Sequence, residues 1–107
     1  MVRFADAPPA VYDFVTPPLI RFGAGVVDQL AEIVRTYGRR VWMVAGRHAT
    51  AAGGPVSRVE AGLQAAGIPT RVVATTAGEP TVDHVAAALA ALAAEDHEGV
   101  VVVAIGG

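Results

Sequence analysis

The amino-acid sequence predicts an α/β domain: an open, mostly parallel sheet with helices on both faces, preceded by an N-terminal extended arm or hairpin. Three observations carry this. Val100-Val101-Val102-Val103-Ala104 is an unbroken apolar run with four β-branched residues and no polar alternation, the mark of a strand covered on both faces. Segments of helical periodicity alternate with further short apolar runs, and short connections between them demand parallel pairing with right-handed crossovers. The composition, 53% hydrophobic and 17% charged in 107 residues, supplies a core for one small domain and leaves no long polar tract.

The elements follow in order. Residues 1–18 hold four prolines (Pro8, Pro9, Pro17, Pro18) around Val11-Tyr12-Asp13-Phe14-Val15. Proline cannot donate to a ladder, so this segment is an extended arm or at best an edge strand. Leu19-Ile20-Arg21-Phe22 reads as a short strand ended by Gly23-Ala24-Gly25. A helix is expected over 26–37, with Val26, Val27, Leu30, Ile33, Val34 and Tyr37 on one face and Gly38 as a left-handed cap. Val41-Trp42-Met43-Val44-Ala45 is the next strand, and 47–54 a loop. Pro55 suits a first helical turn, with Val56, Val59, Leu63 and Ala66 buried and Gly67 closing the helix. Arg71-Val72-Val73-Ala74 is a strand, Thr75 to Pro80 a loop, and Thr81 the cap of a helix over 82–95. Asp96-His97-Glu98-Gly99 turns the chain into the last strand.

Several function classes are excluded or disfavoured by composition. A net charge of −2 with scattered cations offers no basic face to nucleic acid. The absence of cysteine removes disulfides, thiolate metal sites and a thiol nucleophile. The N-terminus lacks the apolar core of a signal peptide and no run approaches membrane-spanning length, so a cytoplasmic protein with no membrane partner is expected. His48, His84 and His97 lack metal-ligand spacing, and Ser57, the one serine, has no base beside it in sequence. No catalytic constellation is visible.

Ligands of such sheets sit beyond the carboxyl ends of the strands. Three loops lie there: Gly46-Arg47-His48, the segment 75–80, and Ile105-Gly106-Gly107. Glycines after a buried strand let a phosphate approach the backbone. They are also common turn residues, so the feature alone is not specific. A site preferring NAD often places an acid near the adenosine ribose. Gly46 followed by Arg47 offers no acid and would tolerate or bind a 2′-phosphate, although an exposed, solvated loop arginine is the simpler reading of Arg47 by itself.

These pieces together resemble the N-terminal nucleotide-binding domain of the iron-containing (metal-dependent) alcohol dehydrogenases. The matching residues are Pro18-Leu19-Ile20-Arg21-Phe22-Gly23-Ala24-Gly25, Ala66-Gly67-Ile68, Gly78-Glu79-Pro80-Thr81, and Val102-Val103-Ala104-Ile105-Gly106-Gly107, which looks like the start of the family's Gly-Gly-Gly-Ser loop. Their order and spacing carry the resemblance from about Tyr12 onward.

The resemblance implies a Rossmann-like fold, an arm over 1–18 that can act as a dimer strand, and part of a dinucleotide-binding domain over 19–107. It implies that Gly106 and Gly107 hold a cofactor diphosphate, that Glu79 and Pro80 line the cofactor site, and that Gly46 stands where NAD-preferring members often carry Asp. NAD or NADP is therefore the expected cofactor, with NADP favoured by Gly46 and Arg47. The family's metal, Fe²⁺ or Zn²⁺, belongs to a C-terminal helical domain absent from these residues. The expected parent is an alcohol–aldehyde or alcohol–ketone oxidoreductase, homodimeric or larger, acting on a small alcohol. The chain alone is expected to be a truncated, inactive and association-prone portion of it. Glycerol dehydrogenase, maleylacetate reductase, a dehydroquinate synthase-like protein and a non-catalytic α/β module are the alternatives.

Overall fold

The first strand in sequence is the centre of the sheet. The computed structural model describes residues 11–106. In it, β1 (Arg40–Gly46) lies between β2 (Thr70–Thr76) and β3 (Val100–Ile105), both parallel to it. The helices are α1 (Leu30–Tyr37), α2 (Pro55–Ala65) and α3 (Val82–Leu92). The chain steps from β1 to β2 through α2, then returns past β1 to β3 through α3. Right-handed crossovers made in opposite directions put their helices on opposite faces. Side-chain burial agrees. Val41, Met43 and Ala45 of β1 pack with Val34 of α1 and with Val56, Val59 and Leu63 of α2. Trp42 and Val44 point to the other face, where α3 stands.

The two faces are packed to different degrees. On the α1/α2 side Met43, Leu63, Val34 and Val41 are all but sealed from solvent. Full burial of such side chains contributes about 1.5–3 kcal/mol each. On the α3 side nothing from the helix is buried; Val85 and Leu89 remain 50% and 65% exposed. The helix is held instead at its ends. Thr81 and His84 form a reciprocal capping box at its start, and beyond its last turn Arg71 of β2 grips the Glu95 carboxylate through both guanidinium nitrogens. Arg71 also lies 5.5 Å from the Trp42 ring centroid, a cation–π distance. Arg40 closes the turn before β3 by donating to the carbonyls of Asp96 (2.7 Å) and Glu98 (2.9 Å). An Arg58–Asp28 ion pair at 3.0 Å ties α2 to the segment before α1.

The ladder between β1 and β2 slips once. Met43 pairs with Val72 but Val44 pairs with Ala74, so Val73 is an extra residue on β2. Parity along β2 therefore changes at this bulge. Val72 packs against the buried core, whereas Val73, Ala74 and Thr76 look toward α3.

Six expectations need correction. Residues 11–22 contain no strand: the segment is irregular and exposed, with Phe14 at 88% and Phe22 at 98%. Pro17 and Pro18 remove two donors there, and among the described residues no neighbouring strand supplies a ladder. The helix expected over 26–37 is a 3₁₀ turn, Val26–Gln29, followed by α1, and of its apolar stripe only Val34 is buried. Gly38 is extended (φ −171°) instead of left-handed. Its need for glycine is close approach, since a Cβ would lie 2.5 Å from the Gly99 carbonyl oxygen. The third helix ends at Leu92, and the loop after β1 contains a 3₁₀ turn, Arg47–Thr50. Finally, β3 is an edge strand among the described residues, not one covered on both faces. It has β1 on one side only and Val102 is 64% exposed, because α3 does not close over it.

Candidate functional site at the strand ends

The carboxyl ends of the three strands form a level rim. Ala45 pairs with Thr75 on one side and Ile105 on the other, and Gly46 pairs with Thr76. Gly46 and Gly106 are thus the next residues in register on neighbouring strands. The crossovers leaving β1 and entering β3 lie on opposite faces, so the crevice between these two strands is the switch point of the sheet. A Cβ built on Gly46, Gly78 or Gly106 meets nothing within 4 Å, leaving all three backbones open to a ligand.

Two grooves meet at this rim. One, of about 610 Å³, runs between the sheet and α3; Trp42, Val44, Leu89 and Val102 give it apolar walls, and Gly46, Gly106 and Pro80 lie at its end. The other, of about 430 Å³, lies on the opposite face between β3 and the start of α2, and includes Pro55, Arg58 and Val103. Gly106 lines both. It stands on the crest between the two faces, where a bridging group would touch backbone and little else.

Of the candidate residues, the structure brings together Gly46, Pro80 and Gly106. Arg47 opens the 3₁₀ turn after β1 with its side chain exposed, and it lines neither groove. Glu79 is exposed in the loop between Gly78 and Pro80 and also stands outside both grooves. Gly107 falls outside the described residues. Sequence reasoning missed Thr76 and His84, which line the α3 groove. The bulge hid Thr76. His84 could have been found from its spacing three residues after the cap Thr81, the interval of a capping box.

The perturbed charges lie at the other end of the strands. The Arg71 guanidinium holds the Glu95 carboxyl below its ordinary range, and Glu95 in turn raises the pKa of Arg71, each chiefly through their shared hydrogen bonds. The Glu98 backbone N–H, donating to Asp96 at 3.0 Å, lowers the Asp96 carboxyl, aided by the Arg40 charge. These groups serve the fold. Among the described residues no three His, Cys, Asp or Glu converge to hold a metal ion, so a metal does not fit the residues present here. No helix among them is long and apolar enough to cross a membrane.

A three-stranded parallel sheet with helices on both faces and an open, glycine-rimmed switch point is an α/β domain of the Rossmann-like class. A family model for iron-containing alcohol dehydrogenase matches residues 17–107, and the chain belongs to that family. The family is one of oxidoreductases. None of the curated proteins and none of the solved structures compared with the chain matched it.

Proposed function

We propose that the rim formed by Gly46, Thr76 and Gly106 binds the diphosphate of NAD or NADP, as part of an enzyme that interconverts a small alcohol and its aldehyde or ketone. The observation that supports this most directly is the register: the partners Ala45 and Ile105 on neighbouring strands are each followed by a glycine whose Cβ position is open. Diphosphate oxygens need donors that approach closely, and backbone N–H groups without a Cβ in front of them provide such approach. Bound dinucleotide supplies the hydride acceptor of the reaction. The chain's own residues contribute a backbone cradle and, along the α3 groove, apolar walls that exclude water from one side of it.

The coenzyme reading is NADP over NAD. Gly46 places no carboxylate where a ribose 2′-hydroxyl would look for one, and no acidic side chain among the described residues pairs with the neighbouring Arg47. Because the described residues hold no cluster of metal ligands, the metal of the family would be held by residues other than these. Tyr12, Phe14 and Val15 are more than four-fifths exposed on an unpaired segment, which supports the further reading that this arm pairs with a second copy of the chain.

Trp42 is the single tryptophan and lines the α3 groove, so it reports on the site. Dihydronicotinamide absorbs in the range of tryptophan emission. Titration with NADPH should quench Trp42 saturably and at lower concentration than NADH. The absence of saturable quenching by either at about 1 mM, the weak end of specific affinity, would remove the cofactor reading.

A further inference from the structure

In a groove whose walls are mostly carbon, one side chain is ionisable. His84 lines the space between the sheet and α3 together with Trp42, Val44 and Leu89, and among the described residues that line it no other side chain is titratable. Its orientation is constrained. The Thr81 backbone N–H donates to His84 Nδ1 at 3.0 Å, while the His84 backbone N–H donates to Thr81 Oγ1 at 3.2 Å. A ring nitrogen that accepts a hydrogen bond carries no proton, so the neutral imidazole holds its proton on Nε2. Among the described residues no hydrogen bond uses Nε2. The capping box thus does two things at once: it satisfies the start of α3, and it leaves one donor of known identity at the end of the groove that opens at Gly46 and Gly106.

We infer that His84 is a cofactor-binding residue whose Nε2–H donates to a diphosphate oxygen of the dinucleotide. The inference rests on the cofactor reading above and adds a side chain to a site otherwise made of backbone. Ribose and base offer neutral acceptors, but the glycines at this end of the groove admit close approach of an anionic group, and a bond to an anionic oxygen is the stronger one. Thr81 is a positioning residue in this arrangement, because it fixes which ring nitrogen is free.

Three variants separate binding from capping. Glutamine and glutamate at position 84 both keep the acceptor that a capping box needs. Glutamine also keeps an N–H donor, whereas glutamate has none and is anionic; alanine keeps neither. NADPH affinity is read from Trp42 quenching, and ADP and adenosine are read by displacement of NADPH, with circular dichroism confirming the helices of each variant. H84Q should bind NADPH and ADP within a fewfold of the parent sequence. H84E should lose about tenfold or more for both, the scale of a charge-assisted hydrogen bond, with adenosine unchanged. If H84E and H84Q bind NADPH alike and only H84A weakens, His84 is a cap and the inference is overturned. An equal loss of adenosine in H84E also overturns it, since adenosine has no diphosphate. Failure of the unsubstituted chain to bind NADPH removes the cofactor reading and this inference with it, an outcome distinct from either of the others.

Discussion

Ala45 and Ile105 are Cα partners on adjacent parallel strands, and each is followed by glycine. That single register aligns the two backbones at one height. A slip of one residue would stagger them by roughly 3.3 Å, the rise per residue of a parallel strand, and would place a side chain opposite a glycine.

Gly46 has ordinary extended backbone (φ −70°, ψ 156°) and open space where a Cβ would go. Gly46→Asp should therefore leave stability within about 0.5 kcal/mol. A carboxylate there can accept from a 2′-hydroxyl and repel a 2′-phosphate. The ratio of NADH to NADPH affinity should rise at least about tenfold, the effect of 1.4 kcal/mol, as measured by Trp42 quenching. An unchanged ratio would show that residue 46 does not meet the ribose.

Two glycines in regular surroundings should respond oppositely to alanine. In Gly38→Ala the new methyl would sit 2.5 Å from the Gly99 carbonyl oxygen and 2.8 Å from Val101 Cγ2. The overpacking should cost about 1–3 kcal/mol in urea unfolding. In Gly62→Ala, inside α2, the methyl meets nothing within 4 Å, and loss of unfolded-chain freedom should stabilise by about 0.5–1 kcal/mol.

The unequal packing of the two faces predicts unequal losses. Leu63→Ala removes a side chain that is 1% exposed and should cost about 2–5 kcal/mol. Leu89→Ala removes one that is 65% exposed and should cost less than about 1 kcal/mol. Equal losses in urea unfolding would mean that α3 closes onto the sheet in solution.

Acid should weaken the end of the sheet opposite the rim. Glu95 and Asp96 ionise more readily in the fold than in the unfolded chain, held down mainly by the Arg71 hydrogen bond and the Glu98 backbone N–H. Their contribution is present in full above the unfolded carboxylate values of about 4 and disappears as pH falls through the lower folded values. Thermal midpoints of the unsubstituted chain should drop over that window. The E95Q/D96N double variant should start lower at pH 7 and fall less below pH 4, which thermal scans at graded pH would show.

The alternation of strands and helices was legible because each strand of this sheet is backed by a helix whose apolar spacing survives in sequence: Val56, Val59 and Leu63 give α2, and Thr81 marks the start of α3. Gly46 and Gly106 could be read as site residues because they stand at or just past the ends of strands, whereas Pro80, four positions beyond β2, was legible only through the family resemblance. What escaped depends on distance in the fold. No local pattern tells that β3 has a neighbour on one side only, or that Gly38 is glycine because Gly99 passes 61 positions later in the chain. Leu19 to Phe22 has the composition of a strand, but composition supplies no partner for its ladder. Arg47 and Glu79 are adjacent in sequence to groove residues, and their side chains nonetheless stand apart from the grooves.

The inserted valine at position 73 has a chemical outcome at the end of its own strand. Were the ladder regular, every second residue counted from Val72 would keep that residue's side of the sheet, and the Thr76 hydroxyl would look toward α2. With one residue extra, that hydroxyl is delivered to the α3 groove, at the same height as Gly46. Deleting that valine would straighten the ladder yet keep the hydroxyl opposite Gly46, whereas drawing it into the ladder with every residue kept would turn the hydroxyl away, so how an apolar stretch is paired, more than which residues it holds, sets the polarity of the crevice from below.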